Sequence, residues 1–474
     1  MCRKKACILL LFFAATAIVL PAQTLTTLVN FDNSDGSYPG SLVQGNDGSL
    51  YGITGEGGTN FPKTCTYGCG TIFKITPAGA FTNLLSFNAT DGAGPVALVQ
   101  TTNGYLYGAA SAGGANGYGT IFAINLAGAL KTLYSFSNDD SAARLVQAAP
   151  GALVQAANGN LYGTTGYGGA YEEGSIFQIT PAGALTTLYS FKGMDGIQPG
   201  GALVQTSDGN LFGTTQYEGS STGDGTIFEI TPAGALTTLH RFDGADGAYP
   251  SGGLVQGADG DLYGTTVSGG AYDFGTVFKI TPAGALTTLY SFCATTDLGY
   301  CADGAKPEAG LVHATDGNLY GTTILGGAND KGTIFQITPT GAFASVHSFD
   351  GTDGGHPGAA LTQDTNGDLY GSTDSGIGTN CTAAACGTVF RFSVGLGPFV
   401  KTLPAVGQVG STVRILGTDL TGATSVTFNG ISAGFSVVSP TQILARVPTG
   451  ATTGKIQVIT PGGTLLSNVG FAVP

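Results

Sequence analysis

A stretch of about fifty residues is written seven times in this chain, and internal periodicity of that length dictates a repeat architecture. The cleanest copy, Gly252 to Phe292, reads GGLVQGADGDLYGTTVSGGAYDFGTVFKITPAGALTTLYSF. Its Tyr-Gly step, once Phe-Gly, recurs at Tyr51, Tyr107, Tyr162, Phe212, Tyr263, Tyr320 and Tyr370, at intervals of 50 to 57 residues. Each copy holds four short runs rich in β-branched and aromatic residues, the composition of a pleated, half-buried surface. Examples are Ala202 to Gln205, Asn160 to Thr165, Gly70 to Thr76 and Leu185 to Phe191.

Turn residues separate the runs. The first and second join through Asp-Gly or Asn-Gly, as at Asp47-Gly48, Asn103-Gly104 and Asp259-Gly260. Such pairs accept positive φ, and the expectation is a tight primed hairpin. The third and fourth join through TPAGA, as at Thr76 to Ala80, where proline presets the turn and glycine supplies its left-handed position. Four antiparallel strands per copy predict an all-β, seven-bladed β-propeller over residues 24–393. A parallel β-helix would need shorter coils and no hairpin signals. The seventh copy lacks its fourth run, and a matching run, Leu25 to Phe31, stands alone near the N-terminus. That run is expected to close the ring and remove two exposed sheet edges.

Composition narrows the setting. Eighty glycines without a three-residue period exclude collagen, and their place among apolar runs argues against disorder. A net charge of −13 argues against a nucleic-acid partner. Arg3, Lys4 and Lys5 precede the apolar run Ile8 to Leu20, so residues 1–22 read as a signal peptide cleaved near Ala22. The run is short for a bilayer span, and no later stretch could serve as one. The expected location is secreted or cell-surface, with the periplasm as the alternative, and the expected state is a monomer. Six cysteines outside the signal fall in close pairs, Cys65/Cys69, Cys293/Cys301 and Cys381/Cys386, which in an exported chain predicts disulfides. A zinc site from Cys65, Cys69, Cys381 and Cys386 is the competing reading.

In a four-stranded meander the constant turns lie on one face, and the variable connections lie on the other. The variable face carries the cysteine pairs and the irregular stretch Ser137 to Pro150. Function concentrates on loops held by a rigid scaffold. Candidate ligand-binding residues there are Tyr67, Tyr118, Tyr167, Tyr171, Glu172, Tyr217, Glu218, Tyr272, Asp273 and His356. Glu56 and Glu308 are further acids of these loops, and Tyr38 a further aromatic. Rings and carboxylates together suit a glycan or protein ligand. An Asp-Gly step after the fourth run, at Asp35, Asp91, Asp195, Asp246, Asp303 and Asp353, reads as turn chemistry ahead of calcium binding. No cofactor is expected. No catalytic motif such as G-x-S-x-G or H-E-x-x-H occurs, so no catalytic residue is assigned.

A glycine-rich linker, residues 394–397, leads to a second pattern of short strands over residues 398–474, expected to form an Ig-like β-sandwich. Leu254-Val255-Gln256, Asp261 to Thr266, Gly275-Thr276-Val277-Phe278 and Leu286 to Tyr290 resemble the GloVer tandem repeat of choice-of-anchor proteins, over Leu25 to Phe392. Val409 to Val413, Ile415-Leu416-Gly417, Val426 to Gly430 and Val447 to Ala451 resemble an IPT/TIG domain. The first resemblance implies an exported bacterial protein and no established activity. The second implies a spacer or interaction module. The leading expectation is a non-enzymatic extracellular or surface binding protein. A propeller enzyme acting on extracellular polysaccharide, as hydrolase or lyase, and a structural scaffold are the alternatives.

Overall fold

The computed structural model describes residues 23–60, 65–137, 153–219, 223–297, 299–376 and 386–473. The proposed signal peptide, most of Ser137 to Pro150 and Cys381 lie outside them. Among the described residues there is no helix, and the repeats form seven antiparallel sheets of four or five strands, with a two-stranded ribbon at Thr296–Asp297 and Tyr300–Cys301 beside them. Each sheet takes the runs of its repeat in order, as in Val255–Gln256, Leu262–Thr266, Thr276–Ile280 and Leu286–Ser291. The seventh sheet differs. It consists of Thr362–Gln363, Leu369–Thr373 and Thr388–Ser393, with Thr24–Asn30 as its fourth strand. The register there runs from Leu25 opposite Phe392 to Asn30 opposite Thr388.

The recurrent Tyr-Gly step has a packing cause. In repeat 5 the ring of Phe278, on the third strand, lies over Gly264 on the second. A Cβ there would stand 2.6 Å from the ring, so any larger residue would expel the phenylalanine. Phe73 over Gly52, Phe335 over Gly321 and Phe390 over Gly371 repeat the contact. The tyrosine before the glycine is buried, and its hydroxyl reaches the turn acid, as from Tyr263 to Asp259 at 2.7 Å. A buried hydroxyl left without such a partner would be costly. Strand two is buried along its whole length while strand four is only half covered, so the sheets stack on one another with their fourth strands outermost.

Consecutive sheets are locked at both ends. At one end a strand-one glutamine accepts from a turn amide of the preceding repeat and donates within its own turn. Gln155 takes Thr102 N–H at 2.9 Å and gives to Gly159 O at 3.1 Å, and Gln205 and Gln363 repeat the pattern. At the other end the residue before a recurrent proline donates its N–H to the preceding repeat, as from Lys306 to Phe274 O at 2.9 Å. That residue has positive φ in Tyr38, Gln198, Tyr249, Lys306 and His356. Such backbone costs about 1 kcal/mol or more in a non-glycine residue, so the surrounding contacts must hold it. Repeats seven and one are joined as well: Ser372 Oγ donates to Pro39 O at 2.8 Å, and Gln44 Nε2 to Thr365 Oγ1 at 2.7 Å.

One local expectation is corrected. The Asp-Gly turns are not primed two-residue hairpins, because the aspartate or asparagine keeps negative φ and only the glycine is left-handed. Gly45 N–H meets Ser49 O at 2.8 Å and Gly48 N–H meets Gly45 O at 3.1 Å, a three-residue loop ending on glycine. Asp47 prefers this form because its side chain accepts from Ser49 N–H at 3.1 Å.

Cys65–Cys69 and Cys293–Cys301 are disulfides, and Cys386 is also disulfide-bonded. The zinc reading falls, since oxidised sulfurs are not thiolate ligands. The C-terminal residues form two packed four-stranded sheets around Val413, Ile443, Val426, Ile456 and Phe471. This sandwich meets the repeats at their constant turns. Thr441 Oγ1 donates to Asn46 O at 2.9 Å, Asn468 Nδ2 to His313 O at 3.5 Å, and Arg414 to Thr102 O.

Candidate functional site

At the end of the repeats away from that seam lies a cavity of about 360 Å³. Repeats one, two, six and seven wall it, through Tyr38 to Ser41, Ile53, Glu56, Pro95, Val96, Glu308, Ala359 and Asp374 among others. The recurrent prolines place it. The residue after the proline is Gly40, Val96, Gly200, Ser251 and Gly358 in five repeats but Glu308 in the sixth, and Gly40, Val96, Glu308 and Gly358 line the cavity. Glu56 ends the second strand of repeat one, and Asp374 directly follows the second strand of repeat seven.

Three carboxyl groups therefore share one cavity. Burial, with Glu308 nearby, pushes Asp374 up to about 7. Burial also raises Glu308, against a weaker pull from Lys306, and raises Glu56. Tyr38 is raised by burial and by the charges of Glu56 and Asp374, although its ring is 44% exposed at the rim. The Ser41 hydroxyl oxygen is buried without a hydrogen-bond partner. Such an arrangement can accept hydrogen bonds, donate from a carboxyl that is part-protonated near neutrality, and attract a cation. Among the described residues no group of three donors converges as a metal site requires.

The model of the Gloeobacter/Verrucomicrobia repeat matches residues 15–149, 143–303 and 298–423. The chain belongs to this repeat family. An IPT/TIG domain matches residues 399–473 of the same repeat protein. No curated protein matches it. Solved structures resemble it at low identity. A gluconolactonase from Xanthomonas campestris shares 12% identity, covering 80% of this chain and 93% of its own, with a TM-score of 0.41. The extracellular domain of a putative hybrid two-component system from B. thetaiotaomicron shares 12%, covering 91% and 52%, with a TM-score of 0.49. A surface component of the type-IX secretion system of Porphyromonas gingivalis shares 14%, covering 93% and 59%, with a TM-score of 0.47.

The candidate residues read from the sequence of this Gloeobacter/Verrucomicrobia repeat protein are not gathered at the cavity. Tyr67, Tyr167, Tyr171 and Tyr272 expose between 45% and 69% of their surface. Tyr118 packs partly into the core, and Tyr217 stands edge-on to Tyr249 with ring centroids 5.4 Å apart. Glu218 is paired with Arg241 at 2.6 Å. Asp273 accepts from Gly269 N–H at 3.0 Å to close its own loop, and Glu172 holds the equivalent left-handed position. His356 donates from Nδ1 to Ile324 O at 2.9 Å. The Asp-Gly carboxylates are used locally: Asp246 accepts from Asp243 N–H at 3.2 Å and bonds His240 Nε2 at 2.7 Å.

Glu56 and Glu308 were legible only as two loop acids among many, and Asp374 carried no signal of its own. A positional comparison across copies would have found Glu308, because an acid replaces the small residue after the proline.

Proposed function

We propose that this chain is an exported, non-enzymatic binding protein. Its seven sheets would form a propeller closed by Thr24–Asn30, and its ligand would be a glycan held on the face of variable connections. One observation carries the reading. Of the strongly exposed large apolar side chains among the described repeat residues, Tyr38, Tyr67, Tyr167, Tyr171, Met194, Tyr272, Phe274 and Tyr300 fall in connections of one face, and only Tyr105 stands outside them. Exposed rings on a rigid scaffold lose little entropy on binding and offer flat apolar faces. The IPT/TIG domain occupies the opposite end and leaves that face open. The disulfides fit an oxidising, extracellular location, and no helix of the described residues is long and apolar enough to cross a membrane.

Retention of the full chain on a panel of immobilised polysaccharides tests this reading, with a reducing-end assay run in parallel. Binding without turnover that weakens in Tyr67→Ala and Tyr272→Ala is the expected result. Retention by no polysaccharide, or retention indifferent to both substitutions, overturns it.

A specific observation keeps a second reading in view. Asp374 is raised to about 7 in a cavity shared with Glu308, as a general acid beside a second carboxylate would be. New reducing ends that disappear in Asp374→Asn would favour a glycoside-cleaving enzyme.

A further inference from the structure

The cavity collects negative charge that its wall does not offset. Glu56, Glu308 and Asp374 open on it, while no lysine, arginine or histidine is among its described lining residues. The nearest cationic influence is Lys306, acting on Glu308. Asp374 has His356 as its backbone neighbour, but that ring is turned to Ile324 O. Partly buried carboxylates without counter-charge are unfavourable until a partner arrives. The Ser41 hydroxyl, buried and unpartnered, is a further polar group of the wall without a bond.

The occupant that meets these demands is narrow in kind. An anion would meet three like charges. A neutral apolar body would bury the carboxylates unpaired. A divalent metal ion needs several converging ligands, and no group of three acidic, histidine or cysteine side chains converges in that way among the described residues. An ammonium group satisfies the charge and donates hydrogen bonds to carboxylates. The volume of about 360 Å³ lies at the small end of ligand pockets, so the body behind that group is compact. Tyr38 at the rim and Pro39, Pro95 and Val96 in the wall present apolar surface to the carbon skeleton of such a body.

We infer that the cavity binds a sugar residue carrying a free primary amine, its ammonium facing Glu308 and Asp374, with Glu56 on the same wall. The inference rests on the glycan-binding reading of the open face and names the chemistry of its most enclosed point. Binding draws protons off the carboxyl groups, since a cation favours their ionised form. Affinity therefore rises from about pH 5 to about pH 7, over which Asp374 ionises and the sugar amine stays protonated.

Calorimetry on the full chain with D-glucosamine, N-acetyl-D-glucosamine and D-glucose tests it. Glucosamine is expected to bind at least about tenfold more tightly than either neutral sugar. Glu308→Gln should remove that preference, with Asp374→Asn as a second variant and a melting curve to show that each is folded. Tyr272→Ala, in repeat five, which contributes nothing to the described cavity wall, should keep it. Equal affinity for the three sugars, binding of none, or a preference that survives both carboxyl substitutions overturns the inference. Retention of neutral polysaccharide through Tyr67 without an amine preference would leave the binding-face reading standing and sink the cavity inference alone. An amine preference without polysaccharide retention would do the reverse.

Discussion

Pro39 packs against Gly387 so closely that a Cβ on the glycine would lie 2.4 Å from the proline ring. The first repeat thus rests on the last by the contact that joins neighbours elsewhere. Pro95 meets Gly70, Pro199 meets Gly174, Pro250 meets Gly225, Pro307 meets Gly275 and Pro357 meets Gly332 in the same way.

The contact predicts a graded response to one added methyl. Gly275 has φ 96°, and a Cβ there would sit 2.3 Å from Thr266 O and 2.7 Å from the Pro307 ring. Gly260 has φ 87° with nothing within 4 Å. Gly275→Ala should cost about 3 kcal/mol or more, from clash added to backbone strain, and Gly260→Ala about 1 kcal/mol from strain alone. Urea midpoints of the two variants check this. Equal midpoints would show that the proline contact yields freely.

Thr24–Asn30 supplies the outer edge of the last sheet, and Val29 and Phe31 pack with Phe73 and Val389. Deleting Leu25 to Phe31 should expose an unpaired strand and open a cluster that spans the first and last repeats. The expected outcome is a fall in melting temperature of about 10 °C or more, or loss of soluble protein. An unchanged melting temperature would refute the closed ring.

The architecture was legible because periodicity repeats each packing decision seven times. The Tyr-Gly step, the proline and the strand-one glutamine recur since most repeats pack by the same contacts, with His313 in place of the glutamine in repeat six. The cavity was far less legible. Its carboxylates come from repeats one, six and seven at non-equivalent positions, and nothing periodic marks a convergence of unlike positions. The loop acids misled for a physical reason: Asp273 closes its own loop and Glu218 pairs with Arg241, and a one-dimensional pattern cannot separate a carboxylate spent on its loop from one left for a ligand.

Asp374 gives the cavity a pH signature. Its carboxyl is raised from 3.8 to about 7, so the folded state holds a proton that the unfolded state has lost. Stability from this group is present in acid and is lost as pH rises through about 7. Asp374→Asn, which mimics the protonated form, should therefore stabilise at pH 8 by on the order of 2 kcal/mol and change little at pH 4. Melting temperatures at the two pH values measure it, and a gain that is equal at both would sever the effect from titration.

At the other end of the repeats, Asp364 stands where the remaining copies place Gly45, Thr101, Ala156, Thr206, Gly257 and Ala314. It is almost fully buried and faces Lys401 of the IPT/TIG domain. Burial pushes Asp364 up to about 6 and Lys401 down to about 8, each partly offset by the other's charge. Both shifts oppose ionisation, so the seam is weakest between those values, where both groups are charged. Asp364 gives up stability as pH rises through about 6, and Lys401 restores it as pH climbs from about 8 towards its unfolded value. Asp364→Thr alone should stabilise at pH 7 by about 1 to 3 kcal/mol, because the burial cost of the ionised carboxyl outweighs the attraction of Lys401 that is lost with it. Adding Lys401→Met should add to that gain, since an apolar side chain fills the site without a charge to bury. Urea midpoints across the double-mutant cycle decide the matter: additive effects would mean that the two charges do not act on each other.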